Sequence, residues 1–427
     1  MTGKPAEDDF GELHDELRAV ARELIGKSGD GTVSWSSISG VGWPGLEAPE
    51  EFGGTAATIA ETAVVLDEVG RAAARTALPS VLATTMPALS AVHRESLRDS
   101  LFRDAVAGTT VPIVVLDADR VAWSNAADPS LRLSDPGFRL TARPAGPVLD
   151  GSAGFVVDAP EADLLLVPAR EVNGRIVLTV LDPGAAGLAV EPVPLVDATR
   201  SMGRVVATDV PVRAVWQPRT SGARLLRTLR ARAALAVTCD ALGTSAAVLD
   251  ATVEYVRVRE QFGRPVGSFQ AVQHACANML VQVTVARQLV AAAVRALVDA
   301  RSAEAATAAL TESATGDAPA SRAAKAASPE TDSEGAADRW PAARDPASAL
   351  AAAELAVARA KAFTTAAAVD IAGKGLQLHG GFGYTWESGL HTHLKRATLN
   401  RTLFGLPAAH RKFIAAHYRQ GPSAPGR

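Results

Sequence analysis

The sequence predicts a mainly α-helical protein with a small β domain set between two helical regions. Three observations support this fold class: helical spacing of apolar residues near the N-terminus, short β-rich runs in the middle, and long amphipathic patterns after residue 217. Abundant alanine and an aromatic content of 5% also favour helix over sheet. A chain of 427 residues is long enough for two or three domains.

Residues 1–108 are predicted to form an N-terminal helical domain. Leu13, Leu17, Val20 and Leu24 continue a helical spacing that begins at Phe10, and two further patterns cover 60–72 and 90–107. Between the first and second patterns lies the loop sequence GLEAPEEFGG, residues 45–54.

Residues 109–216 are predicted to form the middle β domain. The runs TVPIVVLD, RVAWSNA, GFRLTARP, GFVVDAP, DLLLVPAR and RIVLTVLD are short, rich in β-branched residues and separated by Gly, Pro and Asp. This spacing is typical of strands joined by tight turns.

Residues 217–427 are predicted to form a C-terminal helical bundle, with helical patterns at 220–258, 268–301 and 346–379 and a last one near 407–418. The stretch 304–346 interrupts them with Ala, Ser, Asp, Glu and Pro and almost no large apolar residue. Such a composition buries too little surface to offset the entropy of ordering, so we expect a flexible loop there.

Bulk composition excludes several classes of function. A net charge of −3 gives no basic footprint for nucleic acid. The two cysteines, Cys239 and Cys276, fall in helical patterns and match no metal spacing. The acidic N-terminus lacks the apolar core of a signal peptide, and no apolar run is expected to reach membrane length. We therefore expect a cytoplasmic protein with no membrane partner.

The most informative motif is YVRVREQFGRPVGSFQAVQH, residues 255–274. It predicts a helix that ends near Gly263–Pro265, with Arg259 and Gln261 in its last turn beside Phe262. A guanidinium, an amide and an aromatic ring suit a pyrophosphate attached to an adenine. An arginine near a helix C-terminus is also compatible with a purely structural role.

A second motif, QLHGGFGYT, covers residues 377–385 and ends a helix in a glycine run. Glycine lets the backbone approach a ligand closely, although the same pattern also serves as a simple helix C-cap.

Taken together, the two motifs and GLEAPEEFGG resemble the acyl-CoA dehydrogenases, flavoproteins that desaturate acyl-CoA thioesters. The resemblance implies an N-terminal helical domain, a β-barrel-like middle domain and a four-helix bundle, with each FAD lying between two subunits. The bundle of one subunit supplies the groups that bind the ADP part. By this resemblance the positions that contact FAD are Arg259, Gln261, Phe262, Gln270, Gln377, Gly380 and Gly381.

The flavin-ring side matches the family less well. Where the family usually carries a tryptophan and a threonine, the sequence GSAGFVVD has Phe155 and Val157. The run VLDADRVAWSNAA is also unlike the acyl-CoA loop usual there.

The family's catalytic glutamate has no counterpart in this sequence. A gapless count from Gly380 puts Phe404 at the usual position, and the alternative position on the first bundle helix is Ala233. Phenylalanine and alanine cannot abstract a proton. Asp240, on a similar helix face to Ala233, is a candidate replacement or else a polar helix or interface contact. No metal site is predicted, because the pair His391 and His393 has no third ligand.

The resemblance therefore implies a partner subunit of a heteromeric acyl-CoA dehydrogenase, of the kind found among actinobacterial enzymes for steroid thioesters. Such a heterotetramer would hold FAD and acyl-CoA jointly with a catalytic subunit and pass electrons to an electron-transfer flavoprotein. Two alternatives remain open: a self-sufficient homo-oligomeric dehydrogenase with a relocated base, and a non-enzymatic flavin-binding or scaffold protein.

Overall fold

The computed structural model describes residues 7–27, 31–119, 135–315 and 345–419. Helices come first, an eight-stranded sheet follows, and a second set of helices completes the chain. This confirms the predicted fold class.

In the part of the N-terminal region that the structure describes, the chain forms six α-helices. They are α1 Glu7–Gly26, α2 Trp35–Gly40, α3 Ile59–Arg71, α4 Leu78–Ser80, α5 Met86–Ala91 and α6 Ser96–Ala107, with the π-helical turn Val81–Thr85 between α4 and α5. Thr58 and Glu61 form a capping box that begins α3. The loop GLEAPEEFGG folds tightly, since a β-carbon at Gly54 would lie 2.2 Å from the Ala48 carbonyl oxygen.

The middle region forms one sheet. Its strands are β1 Pro112–Val114, β2 Phe138–Arg143, β3 Gly146–Val157, β4 Leu164–Glu171, β5 Ile176–Leu181, β6 Leu188–Pro192, β7 Met202–Pro211 and β8 Ala214–Trp216. Their order is β6-β7-β3-β2-β4-β5-β8, and β1 pairs in parallel with β4. Every residue of β5 is buried, which explains its continuous apolar run.

The described residues of the C-terminal region form five α-helices. They are α7 Gly222–Val258, α8 Gln270–Thr315, α9 Pro346–His379, α10 Leu390–Thr402 and α11 Pro407–Arg419. Helix α7 packs against α3 of the N-terminal region and against α8, α9 and α10, so it joins the N-terminal helices to the bundle. It approaches α3 closely, because a β-carbon at Gly243 would lie 1.8 Å from the carbonyl oxygen of Asp67.

The predicted loop at 304–346 begins later than expected. Helix α8 continues through Glu304 to Thr315, and Glu304 lies 3.4 Å from Arg224 of α7 in an ion pair. Alanine and glutamate are strong helix formers, so extending an existing helix through them costs little. Helix α9 begins at Pro346, with Asp345 as its N-cap. Residues 316–344 of the predicted loop lie outside the described residues.

The first motif also differs from the prediction. Helix α7 ends at Val258, and Arg259 is its C-cap rather than part of its last turn. Glu260–Gln261 and Arg264–Pro265 then pair as a two-stranded hairpin, β9 and β10. The central residues Phe262 and Gly263 both have positive φ, at 55° and 76°, which is the sign pattern of a type I′ hairpin turn.

Among the described residues, two helices are long and apolar enough in composition to cross a membrane, contrary to the expectation from sequence. They are α7 and residues 270–310 of α8. In the most apolar 18-residue stretch of each helix, 89% of α7 and 33% of α8 is buried inside the fold. Core helices of helical bundles can be equally long and equally apolar, and the burial of α7 accounts for its apolar character.

Candidate cofactor site

The two sequence motifs meet because α7 and α9 pack side by side and end together. A β-carbon at Gly375 of α9 would lie 2.4 Å from Val248 and 3.1 Å from the Thr252 hydroxyl on α7. A larger residue at this position would push against these two α7 side chains, so Gly375 allows them to pack directly on α9. The end of α9 at His379 therefore lies beside the last turns of α7, and the glycine run follows directly.

Tyr255, one turn before Arg259, connects the two helix ends. Its ring stacks on the His379 ring at 4.3 Å and on the Phe382 ring at 5.9 Å. The Tyr255 hydroxyl donates to the His379 carbonyl oxygen at 3.3 Å. His379 is buried, and its Nδ1 lies 2.8 Å from the carbonyl oxygen of Gly375.

The hairpin after α7 presents polar groups and one aromatic ring to solvent. The Arg259 backbone is fixed, since its N–H donates to Tyr255 and its carbonyl accepts from Val266 at 2.7 Å. Its side chain is exposed and makes no hydrogen bond or ion pair with any residue of the described ranges. The Gln261 amide donates to the Glu260 carbonyl at 2.8 Å. The Phe262 ring is 93% exposed.

The glycine pair Gly380 and Gly381 is equally open. Gly380 has a φ of 60°, and a β-carbon built at Gly380 or Gly381 would meet nothing within 4 Å. Gln377 is exposed, and its side-chain oxygen accepts from Lys374 at 3.0 Å. Gln270 is exposed at the start of α8. The predicted FAD-contacting residues thus occupy exposed positions on the hairpin, the start of α8 and the end of α9.

The position of the family's usual base has a different character. Phe404 is 6% exposed and adopts a φ of 54°, followed by Gly405 at 101°. The Phe404 N–H donates to the Ala118 carbonyl at 3.0 Å, and His410 Nε2 lies 3.0 Å from the Phe404 carbonyl oxygen. Ala118 in turn donates to the carbonyl of Phe155 at 2.8 Å. The Phe404 loop is therefore hydrogen-bonded to the chain that follows β1, which is itself bonded to β3.

Lys361 of α9 holds the same loop from the interior. Its Nζ donates to the carbonyl oxygens of Asn400 at 2.8 Å, Gly405 at 3.2 Å and Arg401 at 3.4 Å. Burial lowers the pKa of Lys361 to about 7. Burial, together with the charge of Lys361, lowers the pKa of His410 to about 3. The end of α10 is thus capped by a buried amine.

Asp240 occupies a closed polar network rather than an open cleft. Its carboxylate is 1% exposed and accepts hydrogen bonds from Arg200 at 2.7 Å, from Arg396 at 2.9–3.2 Å and from Asn400. Burial alone would raise the pKa of Asp240, but the charges of Arg396 and Arg200 and the hydrogen bonds lower it to about 2. A carboxylate with this pKa and no access to solvent is a poor general base. The geometry supports the interpretation as a helix contact.

Ala233, the alternative base position, is buried in α7 beside Ala234. The nearest charged neighbour in sequence is Arg232, whose guanidinium pairs with the buried Glu47 of the GLEAPEEFGG loop. Glu47 also accepts from Arg301 at 3.0 Å and from the Thr62 hydroxyl at 2.7 Å. Glu47 is therefore committed to joining the N-terminal region to the bundle.

Two further residues of sequence interest, His391 and His393, lie in different surroundings. Burial, with the charge of Arg396, lowers the pKa of His393 to about 4. The His391 ring packs edge-on against Trp386 at 4.4 Å. Within the described ranges, no group of three His, Cys, Asp or Glu residues could hold a metal ion.

Sequence reasoning missed three residues that the structure places at these sites: Tyr255, Lys361 and Glu47. Tyr255 lies four residues before Arg259, and the helix predicted through this motif places residues at that spacing on one face, so the motif could have drawn attention to Tyr255. No local pattern distinguishes Lys361, because its acceptors lie about forty residues away in the chain.

Comparison with known proteins gives matches along most of the chain. The acyl-CoA dehydrogenase N-terminal domain matches residues 12–108, and the acyl-CoA dehydrogenase C-terminal domain matches residues 220–331 and 334–418. The acyl-CoA dehydrogenase IpdE2 of Mycolicibacterium smegmatis is 26% identical over 399 residues, covering 93% of this chain and 91% of IpdE2. The acyl-CoA dehydrogenase FadE34 of Mycobacterium tuberculosis is 32% identical over 265 residues, covering 62% of this chain. That match spans about a third of FadE34, at 32% of its length.

Solved structures show the same fold. One described as a Tcur3481-Tcur3483 steroid ACAD variant aligns with a TM-score of 0.70 and 22% identity, covering 96% of this chain and 99% of the other. A glutaryl-CoA dehydrogenase of Mycobacterium smegmatis in complex with FADH2 aligns with a TM-score of 0.73 and 15% identity, covering 99% and 97%. With both terminal domains matched and the fold shared, the chain belongs to the acyl-CoA dehydrogenase family.

Proposed function

We propose that this chain is a partner subunit of a heteromeric, FAD-dependent acyl-CoA dehydrogenase. It contributes the groups that bind the ADP part of a shared FAD. A different chain carries the catalytic glutamate and the contacts to the flavin ring. The complex removes two hydrogens from the α and β carbons of an acyl-CoA thioester.

The exposed residues at the ends of α7 and α9 fit the ADP part of FAD. The Arg259 guanidinium has no protein partner in the described ranges and suits a pyrophosphate oxygen. The exposed Phe262 ring offers a face for an adenine, and the open backbone at Gly380 and Gly381 allows close approach of a phosphate. When bound, FAD supplies the hydride acceptor for the reaction.

The observation that carries the partner role is the contrast between this open side and the closed Phe404 loop. Phe404 is buried, its N–H is already bonded to Ala118, and its side chain has no ionisable group. A backbone N–H that donates inside the protein is not available to polarise a thioester carbonyl. This contrast within the described ranges supports the proposal that this chain offers the ADP side of a shared flavin site and that a different chain carries the catalytic side.

A self-sufficient enzyme with a relocated base is a weaker candidate. Asp240 is the carboxylate nearest in sequence to Ala233, and it is buried between Arg200 and Arg396. The bonds that hold it also stabilise its unprotonated form, which lowers its ability to accept a proton.

Exposed apolar residues beside the hairpin support a subunit interface there. A groove of about 560 Å³ runs between the end of α7 and the start of α8, and Val258, Leu280 and Cys276 contribute to its walls. The neighbouring α8 residues Val281 and Val285 are also exposed. The groove is also lined by the charged residues Asp250, Glu254 and Arg257, and a surface that gathers exposed apolar side chains with a polar rim often marks a contact with another protein.

For the substrate, we propose an acyl-CoA of steroid origin, because a structural neighbour is described as a steroid acyl-CoA dehydrogenase. An electron-transfer flavoprotein is the proposed electron acceptor and the cytoplasm the proposed location, both as expectations from the family.

The decisive experiment is purification of the tagged chain from its natural host, followed by identification of co-purifying chains and measurement of FAD. We expect a second acyl-CoA dehydrogenase chain that carries the glutamate, with FAD bound to the complex and little bound to the isolated chain. A yellow, acyl-CoA-oxidising protein obtained from this chain alone would contradict the proposal.

Two variants of the complex locate the chemistry. Replacing the partner's glutamate by glutamine should abolish turnover, whereas Phe404→Leu in this chain should leave it nearly unchanged. Loss of turnover in Phe404→Leu with FAD still bound would place the reaction at this chain's own loop. A complex that binds FAD but oxidises no acyl-CoA thioester would favour the non-enzymatic alternative.

A further inference from the structure

Tyr255 links the two segments that the proposed function assigns to FAD. The hairpin with Arg259 follows α7, and the Gly380–Tyr384 segment follows α9, so the two segments are more than a hundred residues apart in the chain. The Tyr255 ring contacts both His379 and Phe382, which lie on either side of the glycine pair.

The geometry of this contact is that of a brace between two helix ends. The Tyr255 and Phe382 rings are nearly parallel, with an interplanar angle of 7°, and the angle to His379 is 23°. The hydroxyl bond to the His379 carbonyl, at 3.3 Å, is long for an O–H donor, so the ring contacts are the stronger part.

The two ends of the brace are themselves fixed. His379 is held by the Gly375 carbonyl at 2.8 Å, and the Arg259 N–H donates to the Tyr255 carbonyl at 2.9 Å. The 3-10 helix Gly380–Tyr384 packs tightly against the end of α9, because a β-carbon at Gly383 would lie 2.7 Å from the Leu376 carbonyl oxygen. Tyr255 is thus bonded through its backbone to Arg259 and contacts through its ring both neighbours of the glycine pair.

We propose that Tyr255 is a positioning residue for the adenosine diphosphate part of FAD. Its ring sets the separation between Arg259 and the backbone of Gly380 and Gly381, so that both can contact one pyrophosphate. This inference rests on the proposed function. It assigns to Tyr255 no contact with the cofactor itself.

The test compares the affinities of the purified complex, stripped of flavin, for FAD and for FMN, which lacks the adenosine monophosphate. The Tyr255→Leu variant loses both ring contacts and is expected to bind FAD about tenfold more weakly, with its FMN affinity unchanged. Tyr255→Phe retains the stacking and should stay within about threefold of the wild-type FAD affinity. Tyr418→Leu is the matched control, since Tyr418 is an exposed tyrosine of α11.

Each outcome separates the brace from the cofactor assignment. If Arg259→Ala weakens FAD binding while Tyr255→Leu does not, the positioning role is refuted and the ADP-binding role stands. If neither variant changes FAD affinity, the ADP-binding role fails and the brace fails with it. Equal losses for FAD and FMN would indicate general damage to the protein and would also refute the positioning role.

A second variant covers the case in which Tyr255→Leu does not assemble. Phe382→Leu removes one ring contact from the half-exposed side of the brace, where a leucine is readily accommodated. We expect a loss of about threefold in FAD affinity, again without a change for FMN. An unchanged FAD affinity in an intact Phe382→Leu complex would refute the brace.

Discussion

Replacing Asp240 by asparagine is predicted to destabilise the fold without removing a catalytic group. The carboxylate compensates two buried guanidiniums, those of Arg200 and Arg396, and both lose their charge partner in Asp240→Asn. Breaking a buried ion pair by removing one partner typically costs about 3–5 kcal/mol. A lowering of the Asp240 pKa from 3.8 to about 2 corresponds to about 2.5 kcal/mol of preference for the ionised form, which is of similar size.

The assay is chemical denaturation followed by circular dichroism, with Asp250→Asn as the control. Asp250 lies on the same helix and pairs with Arg71, but its side chain is 61% exposed. Exposed pairs contribute about 0–1 kcal/mol. We therefore expect Asp240→Asn to lower the free energy of unfolding by about 3 kcal/mol more than Asp250→Asn.

The pH dependence of stability gives an independent check. Because the pKa of Asp240 is lower in the folded state, its contribution is present above about pH 3.8 and is lost as the pH falls through about 2. In strong acid, the free energy of unfolding of the wild type should therefore approach that of Asp240→Asn. Equal stabilities of Asp240→Asn and Asp250→Asn at neutral pH would refute the argument. Loss of turnover in a folded, FAD-loaded Asp240→Asn complex would instead make Asp240 catalytic.

Three further predictions concern the cofactor, the interior lysine and the Ala-rich segment. Arg259→Ala should weaken FAD binding by the complex about ten- to a hundredfold because it removes a charge-assisted bond, whereas the control Arg257→Ala should leave FAD binding unchanged. If Arg259→Ala and the wild type give the same FAD titration, Arg259 only caps α7. The pKa of Lys361 is lowered to about 7 in the folded protein, so the unfolded chain binds more protons than the folded one between about pH 7 and 10. The free energy of unfolding of the wild type should therefore rise relative to that of Lys361→Met over this range, by up to about 1.4 kcal/mol per pH unit. A difference between the two proteins that does not change with pH would contradict this prediction. Replacing residues 316–344 by a short Gly/Ser linker should leave the melting temperature and FAD content of the complex nearly unchanged, and a large loss of either would mean that the segment's composition is misleading.

Sequence periodicity was sufficient for the fold class because long helices and a block of short strands leave distinct patterns. The structure of the alanine-rich stretch after Arg301 was harder to predict, because the same composition suits a solvated helix and a loop. In the structure, α8 continues through this stretch to Thr315. The hairpin at Phe262 was missed because a non-glycine residue with positive φ has no reliable local signature.

The candidate site shows the same division. Arg259 and the glycine run were found because they belong to contiguous motifs. The role of Asp240 could not be read from sequence, because its partners Arg200 and Arg396 lie 40 and 156 residues away. Long-range electrostatic partners of this kind depend on packing that only the folded chain defines.

The position of Arg396 has a consequence for how the protein opens. Its side chain donates at once to the Ala74 carbonyl of the N-terminal region, to Thr199 of the β region and to Asp240 of the bundle. If any one of the three regions moves away from the other two, the buried Arg396 guanidinium loses its partner in that region. Solvent then reaches the guanidinium and its two remaining hydrogen bonds. Local openings near this residue should therefore be coupled, and amide hydrogen exchange at the end of α3, before β7 and in the middle of α7 should proceed with a common rate.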